Sequence, residues 1–154
     1  MIMIYTVRYA HLQDKCIHPV GKKIKRGTCI GMMGNTGHST APHLHIDCVE
    51  GAQTSLWRLK DYETNEMVSA HRQIQWFIDA ELFGIEPLIT TSYNDLEYFR
   101  RFDKIHLGYD LVPVDRHQTK AHWYIYWNRS MDGQVLYNDF DNGYGNTVLI
   151  GFKA

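Results

Sequence analysis

His43-Leu44-His45 stands in the first third of this chain, and His106-Leu107-Gly108-Tyr109-Asp110 stands in its last third. Between them they offer two or three imidazoles and one carboxylate, the donor set of a catalytic zinc ion with one position left open for water. The two motifs can act together only if the fold brings them to one place. Each must therefore sit on a rigid frame, and the two frames must be neighbours.

The local pattern supplies such frames. Residues 1–50 alternate short β-like runs with glycine turns, in Ile2 to Ala10, Thr28 to Met33 and His43 to Val49. From Pro87 onward the same character returns, with strands expected at Leu88 to Ser92, Ile105 to Val114, His122 to Trp127, Gln134 to Tyr137 and Thr147 to Phe152. Asp132-Gly133 and the Asp141-Asn142-Gly143-Tyr144-Gly145-Asn146 run are turn formers. Residues 52–86 change period. Met67, Ala70, Ile74, Phe77, Ile78 and Leu82 recur at spacings of three and four, which predicts an amphipathic helix over Glu66 to Phe83. Asn65 is placed to cap it, Gly84 to end it and Pro87 to prevent its return, and Leu56-Trp57-Arg58 would begin a shorter helix before it. The 154 residues suffice for one domain with a real core, and the 44% hydrophobic and 13% aromatic content excludes a disordered chain. The expectation is a mainly β, antiparallel domain over 1–154, with β blocks at 1–50 and 87–154 joined by a helical insertion at 52–86.

Charge and targeting signals narrow the partners. A net charge of -1 without a basic face argues against nucleic acid, and the Lys22–Arg26 cluster reads as a solvated turn. No apolar run approaches the roughly 18 residues of a membrane span, and Met1 to Tyr5 lacks the charged and apolar regions of a secretory signal. The expectation is a soluble product of the cytoplasm, not bound to membrane, that reaches any outside target by another route. Cys16, Cys29 and Cys48 are odd in number and contain no CxxC pair, so buried free thiols are expected.

On a strand, residues two apart share a face, so His43 and His45 project side by side and Asp47 extends the row. His106 and Asp110 share a face of a strand or a helix. A carboxylate with imidazoles suits zinc, and His11, within Tyr9-Ala10-His11-Leu12, is a candidate to take a proton from water or to stabilise an oxyanion. Spacing alone does not decide. In a chain of this composition HxH and HxxxD each arise by chance about half a time, and His43 with Asp47 forms a second HxxxD.

Context decides. Tyr9-Ala10-His11-Leu12, Val20-Gly21, Lys25-Arg26-Gly27, Ile30-Gly31, Gly34-Asn35-Thr36-Gly37, Ser39-Thr40 and Pro42-His43-Leu44-His45 together closely resemble the second half of the lysostaphin/LytM-type zinc endopeptidases. Those enzymes cut peptide bonds in bacterial peptidoglycan. The family's first half carries HxxxD, a DG turn and a GYGN segment, matched here by His106 to Asp110, Asp132-Gly133 and Gly143 to Val148. The halves stand in reversed order, so the chain resembles a circular permutant in which 52–86 joins the former ends. The resemblance leaves 52–86 unmatched. Ala41 and Asp47 replace a Gly and a Glu common in the family.

The resemblance implies a LytM-like core, a duplicated hybrid motif of antiparallel β-sheet. It implies one Zn2+ ion held by His45, His106 and Asp110, with His43 and His11 as catalytic histidines that do not bind the metal. It further implies a monomeric zinc endopeptidase acting on cross-bridge or stem peptides of peptidoglycan. A compact chain without an export signal then suggests a phage endolysin released through a holin pore, or a virion-associated lysin. The other reading is a non-catalytic wall-binding or amidase-activating module of the same fold; such relatives lose ligands, whereas this chain keeps them. His18, His38, His71, His117 and His122 are expected at the surface or in packing. The aromatic run His122 to Trp127 either lines a substrate groove or alternates into the core. Asn35, Thr36, Ser39 and Thr40 either close over substrate or form turns.

Overall fold

The computed structural model describes residues 2–64 and 69–154. Strand β1 (Ile4–Leu12) sets the frame. Its alternation sends Tyr5, Val7 and Tyr9 into the main core and Thr6 and Arg8 to the opposite side, and from Tyr5 onward every residue is buried. A strand buried on both faces belongs in the middle of a sheet, and β1 lies there. The others are β2 (Lys23–Ile24), β3 (Cys29–Met32), β4 (Leu44–Glu50), β5 (Pro87–Thr91), β6 (Tyr109–Pro113), β7 (Tyr124–Tyr126), β8 (Gly133–Asp141) and β9 (Gly145–Lys153). Seven of them form one sheet in the order β2-β8-β9-β1-β4-β6-β5, while β3 and β7 pair separately. Every pairing is antiparallel.

This order interleaves the two ends of the chain. β9 lies on one side of β1 and β4 on the other, and β6 follows β4. The β8–β9 hairpin is turned by Asp141, whose Oδ2 accepts the backbone N–H groups of Gly143 (3.0 Å) and Tyr144 (2.9 Å). The mainly antiparallel β architecture read from the sequence is the one observed.

The helical reading of 52–86 needs correction. Helix α1 (Leu59–Thr64) starts after Trp57. Asn65, Glu66 and Met67, the expected start of the long helix, fall outside the described residues. Beyond them Ser69 bridges Val49 in the sheet, Gln73–Phe77 is a 3-10 turn, and α2 (Ala80–Phe83) is a separate short helix. The break has a local cause. Asp79 takes an extended backbone and caps α2 by accepting from Glu81 N–H at 2.9 Å, while Asn128 Nδ2 donates to the freed Phe77 carbonyl at 2.9 Å. The period still marked the burial: Ala70, Ile74, Phe77 and Leu82 all enter the main core beside the strands. Gly84, in the left-handed region at φ 78°, ends the segment as expected.

Three further differences concern length and type. The strand expected from Ile105 begins only at Tyr109, and the residues before it form a loop. Lys23–Ile24, inside the cluster read as a solvated turn, pairs with β8 and buries Ile24. Helix α3 (Leu96–Phe102) stands where no helix is predicted. Asp95 caps it by accepting from Tyr98 N–H at 2.9 Å, and Asp103 ends it in the left-handed region. It buries none of its residues, so it carries no inward apolar stripe by which periodicity could have found it. The three cysteines are free, with Cys16 and Cys48 buried.

Phe77 ties the insertion to the strands through edge or tilted contacts with Trp127 (5.5 Å) and Phe152 (5.4 Å). Phe77→Ala is expected to destabilise the protein by about 3–5 kcal/mol in urea denaturation followed by circular dichroism. A loss near zero would mean that the insertion does not share the core.

Candidate metal centre

The register of β4 against β6 places His45 directly opposite Asp110. His45 Nδ1 lies 3.1 Å from Asp110 Oδ1. His106 comes from the loop before β6, not from the strand itself, and its Nε2 reaches the same oxygen at 3.2 Å. Gly108 makes that approach possible: a Cβ there would sit 2.4 Å from the Ile46 carbonyl oxygen and 2.8 Å from Asp47 Cβ. One donor atom each from His45, His106 and Asp110 thus lies within 4.8 Å of the other two.

His11 and His43 complete the cluster by different means. His11 sits at an irregularity where the pairing of β1 with β9 shifts between Tyr9 and Leu12, and its φ is 61°. That left-handed conformation is rare for a residue with a Cβ, and the bulge it creates re-aims the imidazole. The conformation is held by a backbone bond from His11 N–H to the Tyr144 carbonyl (2.8 Å). His43 precedes β4 and bridges Gly34. The His11 ring centre lies 4.8 Å from that of His43 and 6.2 Å from that of His45. His43 Nε2 is 3.6 Å from Asp110 Oδ1. All five residues singled out in the sequence therefore converge.

The tautomers follow from the partners. A carbonyl can only accept, so His11 Nδ1–H donates to Thr36 (2.7 Å), His43 Nδ1–H to Ala41 (2.8 Å) and His106 Nδ1–H to Ser92 (3.0 Å). Each neutral ring then keeps a lone pair on Nε2. Burial pushes the His11 pKa down to about 4, so this imidazole is neutral at neutral pH and free to accept a proton. At His106 the consequence is different. Its Nε2 lone pair faces a carboxylate oxygen, and two acceptors 3.2 Å apart are held together only around a cation, a proton or a metal. The donor set of two imidazole nitrogens and one carboxylate oxygen fits zinc. The charges agree. Burial opposes ionisation of Asp110, but hydrogen bonds with His106 and His45 outweigh it and hold the carboxyl well below the usual range. Burial likewise opposes a charged His45, yet Asp110 and Asp47 outweigh it and push its pKa up to about 9.

Two loops lock this arrangement. Thr36 Oγ1 donates to the Leu12 carbonyl (2.7 Å) and accepts from Asn146 N–H (3.0 Å). Gly145, at φ 69°, lets the backbones touch; a Cβ there would lie 2.3 Å from Thr36 Oγ1. Thr36 thus spends both its hydroxyl and its carbonyl on holding the site. Of the other histidines, His122 pairs with Asp115 (2.7 Å) and His71 stacks on Tyr93 (4.1 Å). Ile125 and Trp127 of the aromatic run are in the core, whereas Tyr124 is exposed. Arg8 and Trp57, to which the sequence assigns no part in the site, lie against Asp47 behind the cluster; the β1–β4 register sets Arg8 opposite Asp47, and Trp57 joins them from the insertion. Tyr98 of α3, also unforeseen, lies tilted against His106 with ring centres 4.6 Å apart and lines a cleft of about 490 Å³ with Thr90, Thr91, Arg100 and Arg101.

Residues 3–55 match peptidase family M23. The matched segment runs from β1 through β4 and contains His11, His43 and His45, while His106 and Asp110 lie beyond it. The chain is 47% identical over 45 residues, 29% of its length, to the peptidoglycan DD-endopeptidase ShyA of Vibrio cholerae, covering 10% of that protein. It is 32% identical over 80 residues to ShyB, a peptidoglycan DD-endopeptidase of the same organism, covering 48% of this chain and 18% of that protein. It is also 38% identical over 58 residues to morphogenesis protein 1 of Bacillus phage B103, covering 34% of this chain and 15% of that one. The chain therefore spans only a small part of the relatives it matches. No solved structure matches it at a significant level. The likeness to LytM-type peptidases expected from the motifs is borne out.

Gly108→Ala is expected to force the His106 loop off β4. A thermal midpoint drop equivalent to about 1–3 kcal/mol, with loss of high-affinity zinc binding in calorimetric titration, is the expected result. Unchanged zinc binding would show that the close approach is dispensable.

Proposed function

We propose that this chain is a zinc-dependent endopeptidase that hydrolyses peptide bonds in bacterial peptidoglycan. The observation that carries the reading is the gathering of His45, His106 and Asp110 donor atoms within 4.8 Å of one another, from segments far apart in sequence. His45, His106 and Asp110 hold the metal. Bound there, zinc supplies Lewis acidity, lowering the pKa of a water and polarising the scissile carbonyl. His11, neutral and with Nε2 unprotonated, accepts a proton from the attacking water. His43, anchored through Nδ1, presents Nε2 toward Asp110 and is placed to accept a proton there and, once protonated, to donate to the oxyanion. The cleft lined by Tyr98 is separated from the cluster by that ring, which packs against His106, and it supports a place for the substrate peptide beside the site.

The relatives support the substrate. Two from V. cholerae described above are named as peptidoglycan DD-endopeptidases, which makes the cross-link between D-residues the first bond to test. The likeness to a phage morphogenesis protein supports a phage lysin, virion-associated or released through a holin. The proposal includes the reversed order of the two blocks. β9 and β1 run side by side, and Met3 and Ala154 exchange backbone hydrogen bonds of 2.8 and 2.9 Å, the pairing that a circularly permuted hairpin would keep.

Purified peptidoglycan digested with the protein is expected to yield new amino ends identifiable by mass. Chelation should abolish the release, and added zinc should restore it. His45→Ala is expected to lose both zinc and activity. His11→Ala is expected to keep zinc while kcat falls about 10²–10⁴-fold, a split that separates base from ligand. Activity that survives both chelation and His45→Ala would overturn the assignment.

A further inference from the structure

Behind His45 the structure holds a buried polar assembly that the reaction outlined above does not use. Asp47 Oδ1 lies 3.3 Å from His45 Nε2, off the line of an ideal hydrogen bond, and among the described residues Nε2 makes no hydrogen bond to another group. The carboxylate is clamped from behind. Arg8 Nε donates to Oδ1 (2.7 Å) and Nη2 to Oδ2 (2.6 Å), and the Trp57 indole N–H donates to Oδ2 (2.7 Å). Arg8 Nη1 donates to the Trp57 carbonyl (2.8 Å). The guanidinium is sandwiched between the rings of Trp57 (4.2 Å) and Tyr144 (3.9 Å). Arg8, Asp47 and Trp57 are all essentially inaccessible to solvent.

A buried ion pair of this kind is poor evidence for stability, because well-packed apolar replacements are often neutral or stabilising. What an apolar replacement cannot do is accept the proton on His45 Nε2. If Nε2 keeps its proton toward Asp47, the lone pair must be on Nδ1, the nitrogen that faces Asp110 Oδ1. A carboxylate behind a metal-binding imidazole fixes both its tautomer and its orientation. Trp57 lies outside the segment that matches the peptidase family and belongs to the insertion. Nothing in the motifs accounts for its indole N–H and carbonyl both closing the clamp.

We infer that Arg8, Asp47 and Trp57 are positioning residues that hold His45 with its Nδ1 lone pair turned to the metal, so that the insertion completes the cation site from behind. The inference rests on the zinc reading above. The Arg8→Met/Asp47→Leu double variant removes the acceptor while filling the volume with apolar atoms, and Trp57→Phe removes one donor to Asp47 while keeping an aromatic ring over Arg8. Each is compared with the unaltered protein by zinc competition against a chromophoric chelator, by thermal unfolding, and by ¹⁵N NMR of the His45 Nε2–H in the zinc-loaded state.

The double variant is expected to unfold near the native midpoint yet bind zinc about 10–100-fold more weakly, with the Nε2–H signal lost to solvent exchange. Trp57→Phe is expected to lose several-fold in affinity in the same direction. A folded double variant that binds zinc within about twofold of the native chain and keeps the signal would overturn the inference. Should the double variant fail to fold, Trp57→Phe decides alone: weakened affinity with a faster-exchanging signal supports the role, and native values refute it. An unaltered protein that binds no zinc is a distinguishable result, because it strikes the zinc reading itself.

Discussion

A single carboxylate oxygen organises this molecule. Asp110 Oδ1 lies 3.1 Å from His45 Nδ1, 3.2 Å from His106 Nε2 and 3.6 Å from His43 Nε2. Three imidazoles crowded on one anion are stable only where the anion stays charged and a cation is shared among them. The sheet enforces the crowding, because the β4–β6 register fixes His45 against Asp110 before any side chain chooses a rotamer. Slipping that register by one residue would turn His45 to the opposite face.

Around that point the backbone departs from regular geometry where the site needs it. His11 takes a left-handed conformation near the end of β1, and Gly108 and Gly145 admit contacts that a Cβ would forbid. Such irregularities store strain that the surrounding hydrogen bonds must overcome. The bonds are present: Tyr144 holds the His11 backbone, Thr36 holds its ring, and Asn146 Nδ2 reaches the Leu12 and Gln13 carbonyls at 3.3 and 3.2 Å. The glycine loops of both blocks thus serve as brackets for imidazoles, not as flexible flaps.

Much of this was legible in the sequence because strand alternation and turn chemistry are local. The runs around Val7, Ile46 and Val148 announced strands, and HxH with HxxxD announced a convergence. The boundaries of the insertion were harder. Its three-and-four spacing was real as a burial pattern, yet a capping aspartate at Asp79 and a sheet bridge at Ser69 divided it into short pieces. Helix α3 was silent because it packs no apolar face inward. The Arg8–Asp47–Trp57 clamp could not be read at all, since its members are neighbours only through pairing across strands and through a residue of the insertion.

The doubly buried β1 has a consequence for how the molecule is made. One of its flanks, β4, emerges soon after it during synthesis, but the other, β9, comes only after residue 144. Until then a largely apolar strand carrying Ile4, Tyr5, Val7 and Tyr9 has an open edge, the kind of template on which nascent chains pair with one another. The contacts that close it span nearly the whole polypeptide, and loop closure over such distances makes for slow folding. His45, His106 and Asp110 have all been made by residue 110, so the β4–β6 pairing that faces His45 with Asp110 precedes the closing of β1, whereas the His11 backbone waits for Tyr144.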